Sequence, residues 1–113
     1  MPDKLQLLYE KAARSHYEIT AAELSACGQS GLTLLDVRNA SEWADFHVNG
    51  AINIPLIQLQ LQADYALSPA NLIIVYCNSG NRSSIAAKIL RDKGFRALTL
   101  TGGLNSLYHD RQF

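Results

Sequence analysis

The chain has 113 residues, 48% of them hydrophobic, and its ten basic and ten acidic side chains cancel to a formal net charge of zero. That length suits one domain with an ordinary packed core, and the balanced charge gives no basic footprint for nucleic acid or an anionic membrane surface. No apolar run approaches the ~20 residues of a spanning helix, and the charged stretch "MPDKLQLLYEKAARSHYE" lacks a signal peptide's apolar core, so a cytoplasmic location is expected.

Residues 3–14, "DKLQLLYEKAAR", place Leu5, Leu8 and Ala12 on one face of a short helix, and "YEIT" follows as a short strand. Thr20 and Glu23 have capping-box spacing, so "AAELSAC" is predicted as a helix that stops at Gly28. Residues 32–38, "LTLLDVR", are nearly continuous in apolar side chains, the pattern of a parallel strand covered on both faces. "ASEWADFHV" gives a short helix and turn, and "AINIP" at 51–55 a short strand ended by proline. In "LIQLQLQADYAL", Leu59 and Leu61 alternate with glutamines as in a strand, but Leu56, Leu59 and Ala63 share a helical face; the stretch is read as a helix. "NLIIVYC" at 71–77 is the clearest strand. "SSIAAKILRDKG" is predicted as a helix starting near Ser83, with Ile85, Ile89 and Leu90 inward and Gly94 just past its end. "ALTLTGG" is a strand with a glycine turn, and "LNSLYHDRQF" is a terminal helix. Strand and helix alternate, which predicts an α/β fold with a mostly parallel sheet. No internal repeat, low-complexity tract or linker divides the chain.

The cysteines are Cys27 and Cys77, and the histidines His16, His47 and His109 are scattered. Two cysteines make no disulfide framework, and neither they nor the histidines have zinc-ligand spacing, so no metal and no cofactor is expected. Cys77 lies where a strand stops, and in a parallel sheet the ligand site lies beyond the carboxyl ends of the strands. The loop of Asn78, Ser79, Gly80, Asn81 and Arg82 leads to a helix start near Ser83. Such a loop aims backbone N–H groups and the positive end of the helix dipole at one point. Gly80 permits a tight curl, and Arg82 adds a full charge. The expected result is a thiolate at neutral pH in an anion-binding cradle. A cysteine ending a buried strand is more often a small core hydrophobe, but loop, glycine, arginine and helix start together favour a nucleophile. A nucleotide-binding P-loop is discounted because no lysine and no earlier glycine stand in register, and a redox C-x-x-C is absent because Gly80 stands three past Cys77.

"CNSGNRS" resembles the active-site loop of the rhodanese family of sulfurtransferases, C-x-x-G-x-R between a central strand and a helix. Upstream, "LLDVRNASEWADFHVNGAINIP" is similar to a second family segment, with Asp36, Arg38, Glu42, Trp43, His47, Gly50, Ala51, Ile54 and Pro55 in register. "LTGG" at 100–103 is a weaker third match. The resemblance runs from about residue 20 to 107, which makes 1–113 a single rhodanese-like domain with residues 1–15 as an N-terminal helical extension. Departures are Phe46 for a usual glycine, Asn49 for a common proline, Leu107 for a frequent tryptophan, and Asn78 where many members carry arginine. The resemblance implies a persulfide route. Cys77 takes the outer sulfur of a donor such as thiosulfate, sulfite leaves, and cyanide or a thiol removes the sulfur. It implies a central mostly parallel sheet with helices on both faces, substrate contacts from Asn78 to Ser83, and as partners a small-molecule or protein sulfur donor and a thiol acceptor.

A phosphatase or arsenate reductase of the same fold is the first alternative. Phosphatases of this type use the longer loop C-x-x-x-x-x-R, whereas four residues separate Cys77 from Arg82. A non-enzymatic sulfur carrier or partner-binding module is the second. Asp36 and Arg38 are expected at the pocket edge, in structural hydrogen bonds and an ion pair with Glu42. His47 is read as stabilising a turn, Trp43 and Phe46 as covering the core, and Cys27 as a plain buried or half-buried thiol, with a resolving cysteine as the alternative that nothing in the sequence places near Cys77. Ser79, Asn81 and Ser83 are placed to bond the persulfide or to cap the helix that follows.

Overall fold

The computed structural model describes residues 3–28 and 30–111, with side chains as far as residue 107. Its elements are α1 (Lys4–Ala13), β1 (Glu18–Ile19), α2 (Ala21–Ala26), β2 (Leu32–Asp36), α3 (Ala40–Asp45), β3 (Ile52–Asn53), α4 (Leu56–Ala66), β4 (Leu72–Tyr76), α5 (Asn81–Asp92), β5 (Arg96–Leu100) and α6 (Gly103–Arg111). The chain is α/β, and the five strands form one parallel sheet in the order β1-β5-β4-β2-β3.

Side chains of β4 alternate between two cores because successive strand residues point to opposite faces. Ile73, Val75 and Cys77 face one core, with Leu59 and Ala63 of α4 and Ala86, Ala87 and Leu90 of α5. Leu72, Ile74 and Tyr76 face the other, with Ala12 of α1, Ala21 of α2 and Leu104 of α6. All of β4 is buried, as its unbroken apolar run predicts. The capping box at Thr20 and Glu23 forms, and the 56–66 stretch is helical with Leu59 and Ala63 buried.

Ile85 departs from the sequence reading. It is 57% exposed, and α5 instead turns Ser83, Ala86, Ala87 and Leu90 to the sheet. Leu90 is inward as the sequence predicts, and the small side chains at 83, 86 and 87 let the helix backbone approach β4 and β5 closely. Helix α5 also begins at Asn81, two residues before the expected Ser83. Gly80 has φ 113°, reverses the chain and takes the N-cap position. Its carbonyl accepts from Ser84 N at 3.1 Å and from the Ser83 and Ser84 hydroxyls at 3.1 and 2.8 Å. The sequence-predicted terminal helix is present as α6; Gln112, Phe113 and the side chain of His109 lie outside the described residues.

The chain leaves β2 toward β3 on one side of the sheet and leaves β4 toward β5 on the other. The carboxyl ends of β2 and β4 therefore flank the point where the strand order diverges, which opens a crevice there.

Candidate functional site

Asp36 and Arg38 follow from the end of β2, and Cys77 from the end of β4, so the topology brings two separated sequence motifs to one crevice. Cys77 is 1% exposed. Its Sγ accepts from Gly80 N–H at 3.1 Å and Ser83 N–H at 3.4 Å. Ser83 Oγ lies 3.5 Å from the sulfur and 3.1 Å from the Gly80 carbonyl. One hydroxyl hydrogen can serve only one of these. With the thiol protonated, S–H donates to Oγ and the hydroxyl donates to Gly80. With the thiolate, the hydroxyl rotates to the sulfur. Burial pushes the Cys77 thiol up, but donation from Ser83 Oγ and from the N–H groups of Ser83, Gly80 and Arg82 outweighs it, and the thiol lies below its ordinary value.

The curl of the loop is held from behind. Leu104 N–H donates to the Cys77 carbonyl at 2.9 Å and Asn105 N–H to the Asn78 carbonyl at 3.1 Å. The first turn of α6 thus takes the loop carbonyls, leaving loop N–H groups to face the sulfur. The contact is tight: a Cβ on Gly103 would stand 2.3 Å from the Cys77 oxygen and 2.6 Å from the Asn78 oxygen. The second glycine of "LTGG" has its physical reason in this approach, and Gly103 borders the cysteine loop although it bears no functional group.

Two ion pairs border the loop. Asp36 and Arg38 are both buried, with Arg38 Nη2 2.7 Å and Nε 3.0 Å from the carboxylate. Asn53, which the sequence does not single out, braces them by donating to the Asp36 and Arg38 carbonyls at 3.0 Å each. The expected ion pair of Asp36 and Arg38 with Glu42 is corrected by the structure. Glu42 pairs with Arg82, at 2.7 and 3.1 Å. Glu42 sits at the third position of α3 and also accepts from Asn39 N–H at 2.9 Å, which aims its carboxylate at the cysteine loop rather than back at β2. The Arg82 guanidinium and the Asn39 N–H, with Asn78 adding to them, hold the Glu42 carboxyl at about 2. Asn78 joins the pairs: its Nδ2 donates to Glu42 at 3.1 Å, and Arg38 Nη1 reaches its Oδ1 at 3.4 Å.

His47 Nδ1 donates to the Trp43 carbonyl at 2.8 Å, and the ring stacks on the Trp43 ring, with centroids 3.5 Å apart. It closes the turn after α3, as expected. Trp43 and Phe46 do not cover the core. Helix α3 has no buried residue, Trp43 is half-buried against His47, and Phe46 is 46% exposed. This short helix lies over a polar crevice whose floor is charged, so its apolar side chains find no core beneath them. Ser79 and Asn81 are exposed, with Ser83 alone of the loop side chains at the sulfur. Cys27 is half-buried in the opposite core, its Sγ 3.1 Å from the Glu23 carbonyl. A cavity of about 400 Å³ on that opposite face, lined by Leu24, Gly28, Leu32, Leu34 and Gly50, is remote from Cys77. Among the described residues no group of three or more His, Cys, Asp or Glu side chains is placed to hold a metal, and no helix is long and apolar enough to cross a membrane.

Residues 20–110 match the family model of the rhodanese-like domain. The thiosulfate sulfurtransferase PspE of Escherichia coli is 36% identical over 74 residues, 65% of this chain and 71% of that protein. The adenylyltransferase and sulfurtransferase uba4 of Ogataea parapolymorpha is 32% identical over 87 residues, 76% of this chain but 22% of that much longer protein. The crystal structure of a rhodanese-related protein from Thermoplasma volcanium superposes with a TM-score of 0.76 at 30% identity, covering 82% of this chain and 91% of that one.

Proposed function

The chain belongs to the rhodanese-like domain family and is similar to a thiosulfate sulfurtransferase, and on that premise we propose that it moves a sulfane sulfur through a persulfide on Cys77. The observation that carries this reading is the buried sulfur facing two backbone N–H groups and a hydroxyl at the start of a helix. Such a cradle favours the thiolate over the thiol and gives a terminal persulfide anion the same donors. The thiolate attacks the outer sulfur of the donor. An S–S bond forms as the donor's S–S bond breaks, and the leaving group departs as a stable anion, so no general acid is needed. An acceptor thiolate or cyanide then attacks the outer sulfur and returns Cys77 as thiolate. The backbone of the loop from Asn78 to Ser83, with the Ser83 hydroxyl, supplies the walls, while Asp36 and Arg38 fix the neighbouring strand end. The whole chain acts as one such domain, and the N-terminal extension contributes α1, which lies against β1, β4 and β5. The four-residue spacing from Cys77 to Arg82 supports sulfur over phosphate as cargo.

Intact-mass measurement after incubation with thiosulfate tests the reading, with Cys77→Ser as control. The expected result is a gain of about 32 Da in the parent chain alone, reversed by cyanide. Loading that survives in Cys77→Ser overturns the assignment.

A further inference from the structure

The charges around the cradle cancel. Arg82 is spanned by Glu42, and Arg38 by Asp36. Asn78 links the two pairs as a neutral side chain. Arg82 is raised first by its bonds to Glu42 and only afterwards by the charge of Cys77. The groups that lower the thiol are hydroxyl and amide donors. What remains positive at the sulfur is the start of α5, equivalent to roughly half an elementary charge. Thiosulfate arriving at a thiolate assembles three negative charges. The protonated persulfide of a thiol, R–S–SH, assembles one. Full uncompensated charges, not partial ones, are needed to gather three anionic charges in a site closed to water.

Resting on the sulfur-transfer reading above, we propose that this cradle takes its sulfur from a low-charge persulfide donor R–S–SH in preference to thiosulfate, and that Asn78 and Glu42 set that preference by keeping the loop electrically neutral. In the step, Cys77–S⁻ attacks the terminal sulfur of R–S–SH. The Cys77 S–S bond forms, the donor S–S bond breaks, R–S⁻ leaves, and the proton stays on the transferred sulfur to give Cys77–S–SH. One negative charge stands on each side and no external oxidant or reductant enters.

The test compares kcat/KM for Cys77 loading from thiosulfate and from the persulfide of 2-mercaptoethanol, a donor with no ionisable group besides its –SSH. It uses the parent chain, Asn78→Arg and Glu42→Gln. Both substitutions leave one positive charge unbalanced at the loop, the first by adding it and the second by releasing Arg82 from its counter-ion while keeping an acceptor for Asn39 N–H. The parent is expected to favour the persulfide by about tenfold or more, and each variant to move the ratio toward thiosulfate by about tenfold. If Asn78→Arg does not fold, Glu42→Gln carries the comparison. A parent that prefers thiosulfate, or a ratio that neither variant moves, overturns the donor preference while leaving the Cys77 route standing. Absence of loading from either donor removes the Cys77 route and the preference with it.

Discussion

Ser83 stands between two acceptors, and its hydroxyl follows the protonation state of Cys77. In Ser83→Ala the thiolate loses a donor in a buried site, so the thiol moves back up. The lowered thiol of Cys77 makes its thiolate available from lower pH than that of Cys27, whose thiol burial and Glu23 push up. Iodoacetamide alkylation followed by peptide mass analysis is therefore expected to show the Cys77 rate levelling off at lower pH than the Cys27 rate, with the Cys77 profile displaced to higher pH in Ser83→Ala. Glu42 gives a second pH-dependent expectation. Its carboxyl lies at about 2 in the folded chain against 4.5 when free, so the stabilisation it confers is complete above pH 4.5 and lost as pH falls toward 2. The difference in urea midpoint between the parent and Glu42→Gln is expected to shrink over that interval. The placement of Cys77 at a strand end, the turn at Gly80 and the cap at Thr20 are legible in the sequence because each depends on neighbours a few residues away. The Glu42–Arg82 pair spans 40 residues between a helix and a loop, so it exists only once the strand order is known.

Helix α5 shows how far periodicity carries. Its length follows from the sequence, and Leu90 and Ile89 pack inward as the spacing predicts, but Ile85 is exposed. The decisive quantity is the distance between helix and sheet, which alanines at 86 and 87 keep small. Ile85→Ala is accordingly expected to change stability by no more than about 0.5 kcal/mol, whereas Leu90→Ala, at a fully buried position, costs about 2–5 kcal/mol in urea unfolding. Helix α6 acts on the site through backbone alone. Gly103→Ala places a methyl group against the Cys77 and Asn78 carbonyls at a residue with φ 59°. It is expected to cost about 2 kcal/mol or more and to slow persulfide loading, measured by intact mass, more than a comparable loss of stability elsewhere does. The α4 segment illustrates the opposite limit. Its alternating leucines and glutamines admit a strand, and Pro55 followed by eleven helical residues with Leu59 and Ala63 inward decides the matter only in the fold.

Across the whole molecule the two cysteines belong to cores on opposite faces of the sheet. A disulfide requires Cα atoms within about 7 Å, and a sheet with side chains on both faces keeps these thiols apart. Treatment with diamide is expected to give no monomer lighter by about 2 Da, the loss an internal disulfide would cause. The α/β class and the parallel sheet follow from the alternation of elements, but the crevice between β2 and β4 follows from strand order, which no local pattern encodes. The contact between α6 and the cysteine loop also has a meaning in time. Synthesis delivers the thiol at residue 77 well before Leu104 and Asn105, whose N–H groups fix the loop. A chain still emerging from the ribosome carries the cysteine without its cradle, an ordinary thiol among many. The cysteine loop therefore takes its final shape only late in translation, once Leu104 and Asn105 have been made.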